Sequence, residues 1–410
     1  MKINRTIENL QKDIEIPLVV QNKLNKTLEN IKDQSEQNSK IIAYKKEVDK
    51  PMVKRDKRRL GVLVAVAVIA IATVSVGATV YYNWSKGLEA VLNVKEEQKD
   101  KLLENKTTTF MEQKVVDQGI TVTAIQSITD NYYTHIAFKV EGFDVEDGIQ
   151  PIFEMINVTT TENTEVAAIG TFYDGLTTGL DGGIVNADGT PLVEHDGDIL
   201  RKYQQEDGSM EYYVTLYGGD AKGYFINRKV HIELNNLGTI EKTEYTNEIS
   251  GQWSFDLDLQ GSSEMREWTL DMPLEGSGAT VVEAEISPIS LSVKYQFPRQ
   301  TEIQMADADD IALAAELEPE GTGEEVAIEV PIDPPFLRGV RMKDGTLYPY
   351  LYLGPGRSGY VAEDSDIFEL SFAIDRIIDV NQVDALLFAK SYPGDGLIPT
   401  EKDFYVVQLK

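Results

Sequence analysis

The sequence has no cysteine, and only three histidines in 410 residues. The first absence excludes disulfides, thiolate metal sites and a cysteine nucleophile. The second leaves little for an imidazole-based site. No H-E-x-x-H, P-loop, G-x-S-x-G or strand-bound GxGxxG pattern occurs, and GRSGY at 356–360 reads as a glycine turn that contains Ser358. His135 and His231 fall on the polar faces of expected strands and His195 in an acidic, turn-rich loop, so each is expected to be solvated. Carboxylates are too numerous for any one pair to mark glycosidase chemistry. Asp307, Asp309 and Asp310 lack the glycine and distal glutamate of an EF-hand loop. The residues therefore point to no enzyme, no metal and no cofactor.

Basic residues are scarce except at one end. Residues 1–59 hold 15 Lys/Arg and 9 Asp/Glu; subtracted from totals of 39 and 68, this leaves 24 and 59 for the rest. The tail is thus about +6 and the remainder about −35, an asymmetry expected of two compartments. So acidic a remainder repels nucleic acid, and no nucleic-acid partner is expected. Its plainest role is to keep an exported β-protein soluble.

One long apolar run is present. Leu60–Tyr82 carries no charge; at ~1.5 Å per residue it spans roughly 34 Å as a helix, enough for a bilayer core. Lys54, Arg55, Lys57, Arg58 and Arg59 precede it, and Tyr81, Tyr82 and Trp84 stand at its far end. The positive-inside rule and the aromatic belt then predict one transmembrane helix over 60–82, with the N-terminus cytoplasmic and the C-terminal part extracellular. The run is too long and starts too late for a signal peptide.

Period settles the rest. In the tail, Ile16, Val20, Leu24, Leu28 and Ile31 recur every three or four residues, one face of an amphipathic helix opened by Pro17. So short a tail offers that stripe nothing to pack against. Val20, Leu24, Leu28 and Ile31 are therefore candidate partner-binding residues. Residues 83–106 read as a juxtamembrane helix. From Thr107 the period falls to two, as in Ile136/Phe138/Val140, Val230/Ile232/Leu234, Trp253/Phe255/Leu257 and Ile289/Leu291/Val293. The Asp-Gly pairs that begin at 147, 174, 181, 188, 196 and 207 mark turns. The expected fold is mainly β: two immunoglobulin-like β-sandwich domains, 107–262 and 263–410, the second carrying a long acidic loop from Met305 to Pro335. No internal sequence repeat is evident.

The basic cluster, the apolar run, KGLEAVLNVKEEQKDKLLENK (86–106) and VVDQGITVTAIQSITDNYYTHIAFKVEG (115–142) together resemble a Gram-positive family of single-pass membrane proteins of unknown function, similar to anti-sigma factors. The tail's DIEIP is similar too, as are GQWSFDLDL (251–259) and ISPISLSVKY (286–295), which resemble the start of an immunoglobulin-like second domain carried by many members. The resemblance implies a regulator whose tail binds an extracytoplasmic-function sigma factor and whose ectodomain senses the envelope through an unknown ligand. It implies Val20, Leu24, Leu28 and Ile31 as the docking stripe. The chain departs from zinc-dependent anti-sigma factors, since no cysteine exists and no histidine precedes His135. The alternative is an anchored surface-binding or structural module with no signalling role.

Overall fold

Alternating apolar side chains need a second layer to cover them, and the chain builds two such pairs of layers. In a computed structural model, residues 84–307, 325–390 and 399–409 are described, except 163, 181, 196, 220, 242 and 243. The tail with Val20, Leu24, Leu28 and Ile31, and the apolar run 60–82, lie outside the described residues. Among the described residues, no helix is long and apolar enough to cross a membrane.

The helix expected over 83–106 is instead two: α1 (Lys86–Val91) and α2 (Glu96–Glu104). The break has a local cause. Asn93 takes a left-handed conformation (φ 43°) that a continuous helix does not allow. Ser85 starts α1, its hydroxyl accepting from the Leu88 amide, and the Gln98 side chain folds back onto the Lys95 amide to start α2.

The chain is then mainly β. The first body holds β1 (Thr108–Asp117), β2 (Ile120–Thr129), β3 (Tyr133–Glu141), β4 (Gln150–Thr160), β5 (Ala167–Phe172), β10 (Met210–Tyr217), β11 (Lys229–Glu241) and β12 (Glu244–Asp258). Between β5 and β10 stand two small hairpins, β6 (Leu176–Thr178) with β7 (Ile184–Asn186), and β8 (Glu194–His195) with β9 (Asp198–Ile199). One sheet runs β1-β2-β3-β10-β5 and the other β12-β11-β4. Their inner faces share one core, where Phe138 of one sheet meets Phe255 of the other at 5.0 Å between ring centroids. The glycines at 148, 175, 182, 189, 197 and 208 each have φ between 75° and 89°, the conformation such turns require.

The second body holds β13 (Arg266–Leu274), β14 (Ala279–Ser287), β15 (Ser290–Gln296), β18 (Leu337–Met342), β19 (Leu347–Tyr348), β20 (Tyr352–Tyr360), β21 (Ile367–Ile374), β22 (Val383–Ala389) and β23 (Phe404–Gln408). Its sheets run β13-β14-β15-β21-β20 and β19-β18-β22-β23 around a core of their own. The 305–335 stretch is not wholly a loop: its flanks pair as a ribbon, β16 (Thr301–Asp307) with β17 (Glu325–Pro331). Apolar residues alternate on each flank, Ile303 and Met305 on one strand and Ile328 and Val330 on the other, which suits strand pairing; the register sets Ile303 opposite Glu329 and Met305 opposite Ala327.

The two bodies repeat one topology. Strands β13, β14, β15, β18, β20, β21, β22 and β23 take the neighbours that β1, β2, β3, β4, β5, β10, β11 and β12 have in the first body. What differs is the insertion, two hairpins between β5 and β10 in one and a ribbon between β15 and β18 in the other, and the short edge strand β19 of the second body.

Candidate functional site

The functional candidate is the seam where the helical segment and both bodies meet, within one compact unit. Leu88, Leu92 and Leu102 come from α1, α2 and their connection. They pack with Ile128, Tyr132, Tyr133 and Ala137 of the first body and Ile289, Ala373 and Ile377 of the second. This third core corrects the reading of β3. His135, expected to be solvated on the outer face of β3, is buried, as are its neighbours Tyr133 and Ala137 on that face. The reason is tertiary, since that face is covered at the seam. The register places Tyr133, His135 and Ala137 opposite Tyr217, Thr215 and Tyr213 of β10.

The segment is hooked at its start. Glu211, on the same outer face of β10, is almost wholly buried and accepts hydrogen bonds from Ser85 Oγ (2.5 Å), Gly87 N (2.8 Å), Lys86 N (3.1 Å) and Gln205 Nε2 (3.0 Å). Four donors on one carboxylate compensate its removal from water. A Cβ at Gly87 would stand 3.1 Å from both Tyr173 Cβ and Glu211 Oε2, so glycine permits this approach. At the other end of α1, Thr177 Oγ1 donates to Ala90 O (2.6 Å). Asn93 Nδ2 then reaches Asp375 O of the second body (2.9 Å). Beyond it, Ile377 N donates to Leu92 O (3.0 Å), Gln98 Nε2 to Ile377 O (3.0 Å), and Lys101 pairs with Asp379 (3.2 Å). The segment is thus tied to the first body through α1 and to the second through α2.

The bodies also meet through polar groups. Ser290 Oγ donates to the fully buried Asp130 carboxylate (2.7 Å), which also takes the Tyr132 and Tyr133 amides (2.9 Å each). Burial pushes Asp130 above the usual carboxylate range, against the pull of those hydrogen bonds. The Tyr132 hydroxyl donates to Glu285, which also pairs with Lys222 (2.6 Å); Lys222 reaches Glu267 as well (3.0 Å). Burial, with the Glu285 carboxylate next, drives the Tyr132 phenol far up. Burial lowers Lys222, but its two glutamates outweigh that and leave it raised.

Beside this contact lies a groove of about 460 Å³, walled by Tyr132, Tyr217, Gly219 and Lys222 of the first body and the outer sheet face of the second. On that face the register sets Glu283, Lys294 and Glu369 in one row and Glu285, Ser292, Ser371 and Arg357 in the next. The charges pair across strands, as Lys294 with Glu283 (2.8 Å) and Arg357 with Glu369 (3.8 Å). Such a lattice can recognise a polar ligand of mixed charge. No cluster of three or more metal-ligating side chains occurs among the described residues.

Of the histidines, His231 is partly exposed between Asp256 (2.9 Å) and Glu233 (3.3 Å); these partners outweigh burial and raise its pKa. His135 departs from expectation: it is wholly buried, Nδ1 lies 2.9 Å from Thr215 Oγ1, and burial lowers its pKa to about 4. A base depressed on folding contributes stability above its unfolded pKa of about 6.5, lost as pH falls through the folded value. Between pH 6.5 and 4 the protein should therefore lose about 3 kcal/mol through this one group, at ~1.4 kcal/mol per pH unit. Urea titrations at several pH values should show that slope in the native chain and its loss in His135→Gln; equal slopes in both would contradict it.

Sequence reasoning did not single out Glu211, Asp130, Asn93 or Glu285. One signal was available: the outer faces of β3 and β10 are rich in tyrosine and alanine (Tyr133, Ala137, Tyr213, Tyr217), which suits a covered surface better than a wet one.

No protein-family model matches the chain, and no curated protein matches it. Among solved structures, the chain is similar to "the conserved domain protein from Bacillus anthracis", at 13% identity and a TM-score of 0.34, over 74% of this chain and 86% of that one. A likeness at that level carries no argument about fold or function.

Proposed function

We propose that this chain is a membrane-anchored regulator, similar to an anti-sigma factor. Its tail binds an extracytoplasmic-function sigma factor, and its two β-bodies, each read as an immunoglobulin-like sandwich, sense the envelope. One observation carries the reading. The residues that directly follow the apolar run do not hang as a stalk; they pack into the seam between the bodies. A change in how the bodies sit would thus be felt at residue 84, two residues from the end of the expected membrane span. The acidic charge, the orphan stripe of Val20, Leu24, Leu28 and Ile31, and the resemblance of residues 86–142 support the same reading.

The test is co-purification of residues 1–59 with the extracytoplasmic-function sigma factors of the source cell, each expressed in turn. Binding is expected, with a loss of at least tenfold in affinity when Leu24 and Leu28 are changed to Asp. Absence of binding, or indifference to those changes, overturns the proposal. The groove favours a second reading, an anchored surface-binding module with an inert tail. That reading expects deletion of residues 1–50 to leave the phenotype unchanged.

A further inference from the structure

Of the ten buried residues in the third core, three belong to the helical segment, four to the first body and three to the second. The segment's leucines are therefore part of the apolar filling between the bodies, beside the hydrogen bonds and ion pairs of Ser290 with Asp130, Tyr132 with Glu285, and Lys222 with Glu285 and Glu267. Polar contacts of that kind exchange for water at small net cost, whereas apolar filling does not. The segment's polar ties lie mainly at its start and along α2. In α2 only Leu102 is buried, and a second cavity of about 320 Å³, lined by Gln98, Lys101, Leu102 and Ile377 among others, lies along its contact with the second body. Its start is held by two side chains of the first body, the Glu211 carboxylate and Gln126, whose Oε1 accepts from the Ser85 amide (2.8 Å).

We propose that residues 85–105 are a removable latch: traction on the chain N-terminal to Trp84 draws them out of the seam, starting at Glu211, and the two bodies then part and open the groove over Lys222 and Glu285. The order follows from geometry. Ser85, Lys86 and Gly87 come first along the pulled chain, so the Glu211 hydrogen bonds break before the leucines leave. Leu88 and Leu92 follow, and Asn93 lets go of Asp375 O last before α2 peels away. This deepens the sensing half of the proposed function and needs no cytoplasmic partner, so it stands or falls separately from the sigma-factor test.

Hydrogen exchange on the full chain reads the latch. In Glu211→Gln, amides 86–92 should exchange at least tenfold faster. Segments carrying Tyr132, Ile289 and Ile377 should follow, with β11 and β22 unchanged. Faster exchange in 86–92 with the seam still protected overturns the proposal, because the bodies would then hold without the latch. Faster exchange in β11 overturns it too, because Glu211 would then merely support the first body. Should that variant not fold, Gln98→Ala serves: α2 and Ile377 should exchange at least threefold faster with β11 unchanged, and no change there overturns the proposal. Traction itself is read in an optical trap, pulling the N-terminus of the chain against a handle on Lys229→Cys, the sole cysteine. A discrete lengthening of up to roughly 7 nm, the reach of 21 residues, should precede core unfolding and need less force in Glu211→Gln. Simultaneous release of latch and core overturns the proposal.

Discussion

Replacing Arg376 with alanine should destabilise the second body by about 3–5 kcal/mol, the usual cost of leaving a buried charge without its partner. Asp375 is 1% exposed and Arg376 6%. The guanidinium donates through Nε and Nη2 to the two carboxylate oxygens at 2.8 and 2.9 Å, and it lies 4.9 Å from the Tyr348 ring centroid. Burial already pushes Asp375 up, and Arg376 is what holds it back. Without Arg376 the carboxyl would rise further. A raised acid contributes stability that is present below its unfolded pKa and lost as pH rises through the folded one. The deficit of Arg376→Ala should therefore shrink toward pH 4 and be largest at neutral pH. The double variant Asp375→Asn, Arg376→Met removes both charges and should recover most of the loss. Chemical denaturation at pH 7 and pH 4 checks this; a pH-independent deficit, or a double variant as weak as the single one, contradicts it. Because the Asp375 carbonyl receives Asn93, the single variant should also loosen the seam.

Trp253→Ala should cost about 3–5 kcal/mol in the first body. The indole is wholly buried, lies 5.5 Å from the Phe153 ring, and donates through Nε1 to Ile120 O at 3.2 Å. Its loss leaves a cavity between the sheets and removes the hydrogen bond to Ile120 O, two costs in the same direction. Melting should fall by on the order of 10 °C, at about 2–4 °C per kcal/mol. The urea midpoint should drop with its slope unchanged, and a loss below about 1 kcal/mol would show the core closing over the gap. Each part carries one of the three tryptophans: Trp84 before the latch, Trp253 in the first body and Trp268 in the second. Fluorescence can therefore follow each part separately.

Much of the fold was legible in the residues. Alternation marked Val230/Ile232/Leu234 and Trp253/Phe255/Leu257 as buried strand faces, because a strand facing one core shows its period plainly. The Asp-Gly pairs marked turns because local sterics alone decide a positive φ. The candidate site was hidden. Period two says which residues share a face and nothing of what lies over that face. His135 and Ala137 thus read as wet although the seam buries them.

The sequence by itself determined a mainly β chain, its turns, its charge asymmetry and the absence of thiol chemistry. Each of these depends on one residue and its near neighbours. Only the tertiary structure decided the rest: the split of the 83–106 helix at Asn93, the burial of Glu211 and Asp130, the groove beside Lys222, and the repetition of one topology in two bodies. A topology constrains only where apolar residues face inward, and many unrelated sequences meet that demand. The seam depends on contacts between residues more than 100 positions apart, such as Gly87 with Glu211 and Asp130 with Ser290, and no local pattern encodes such a pairing.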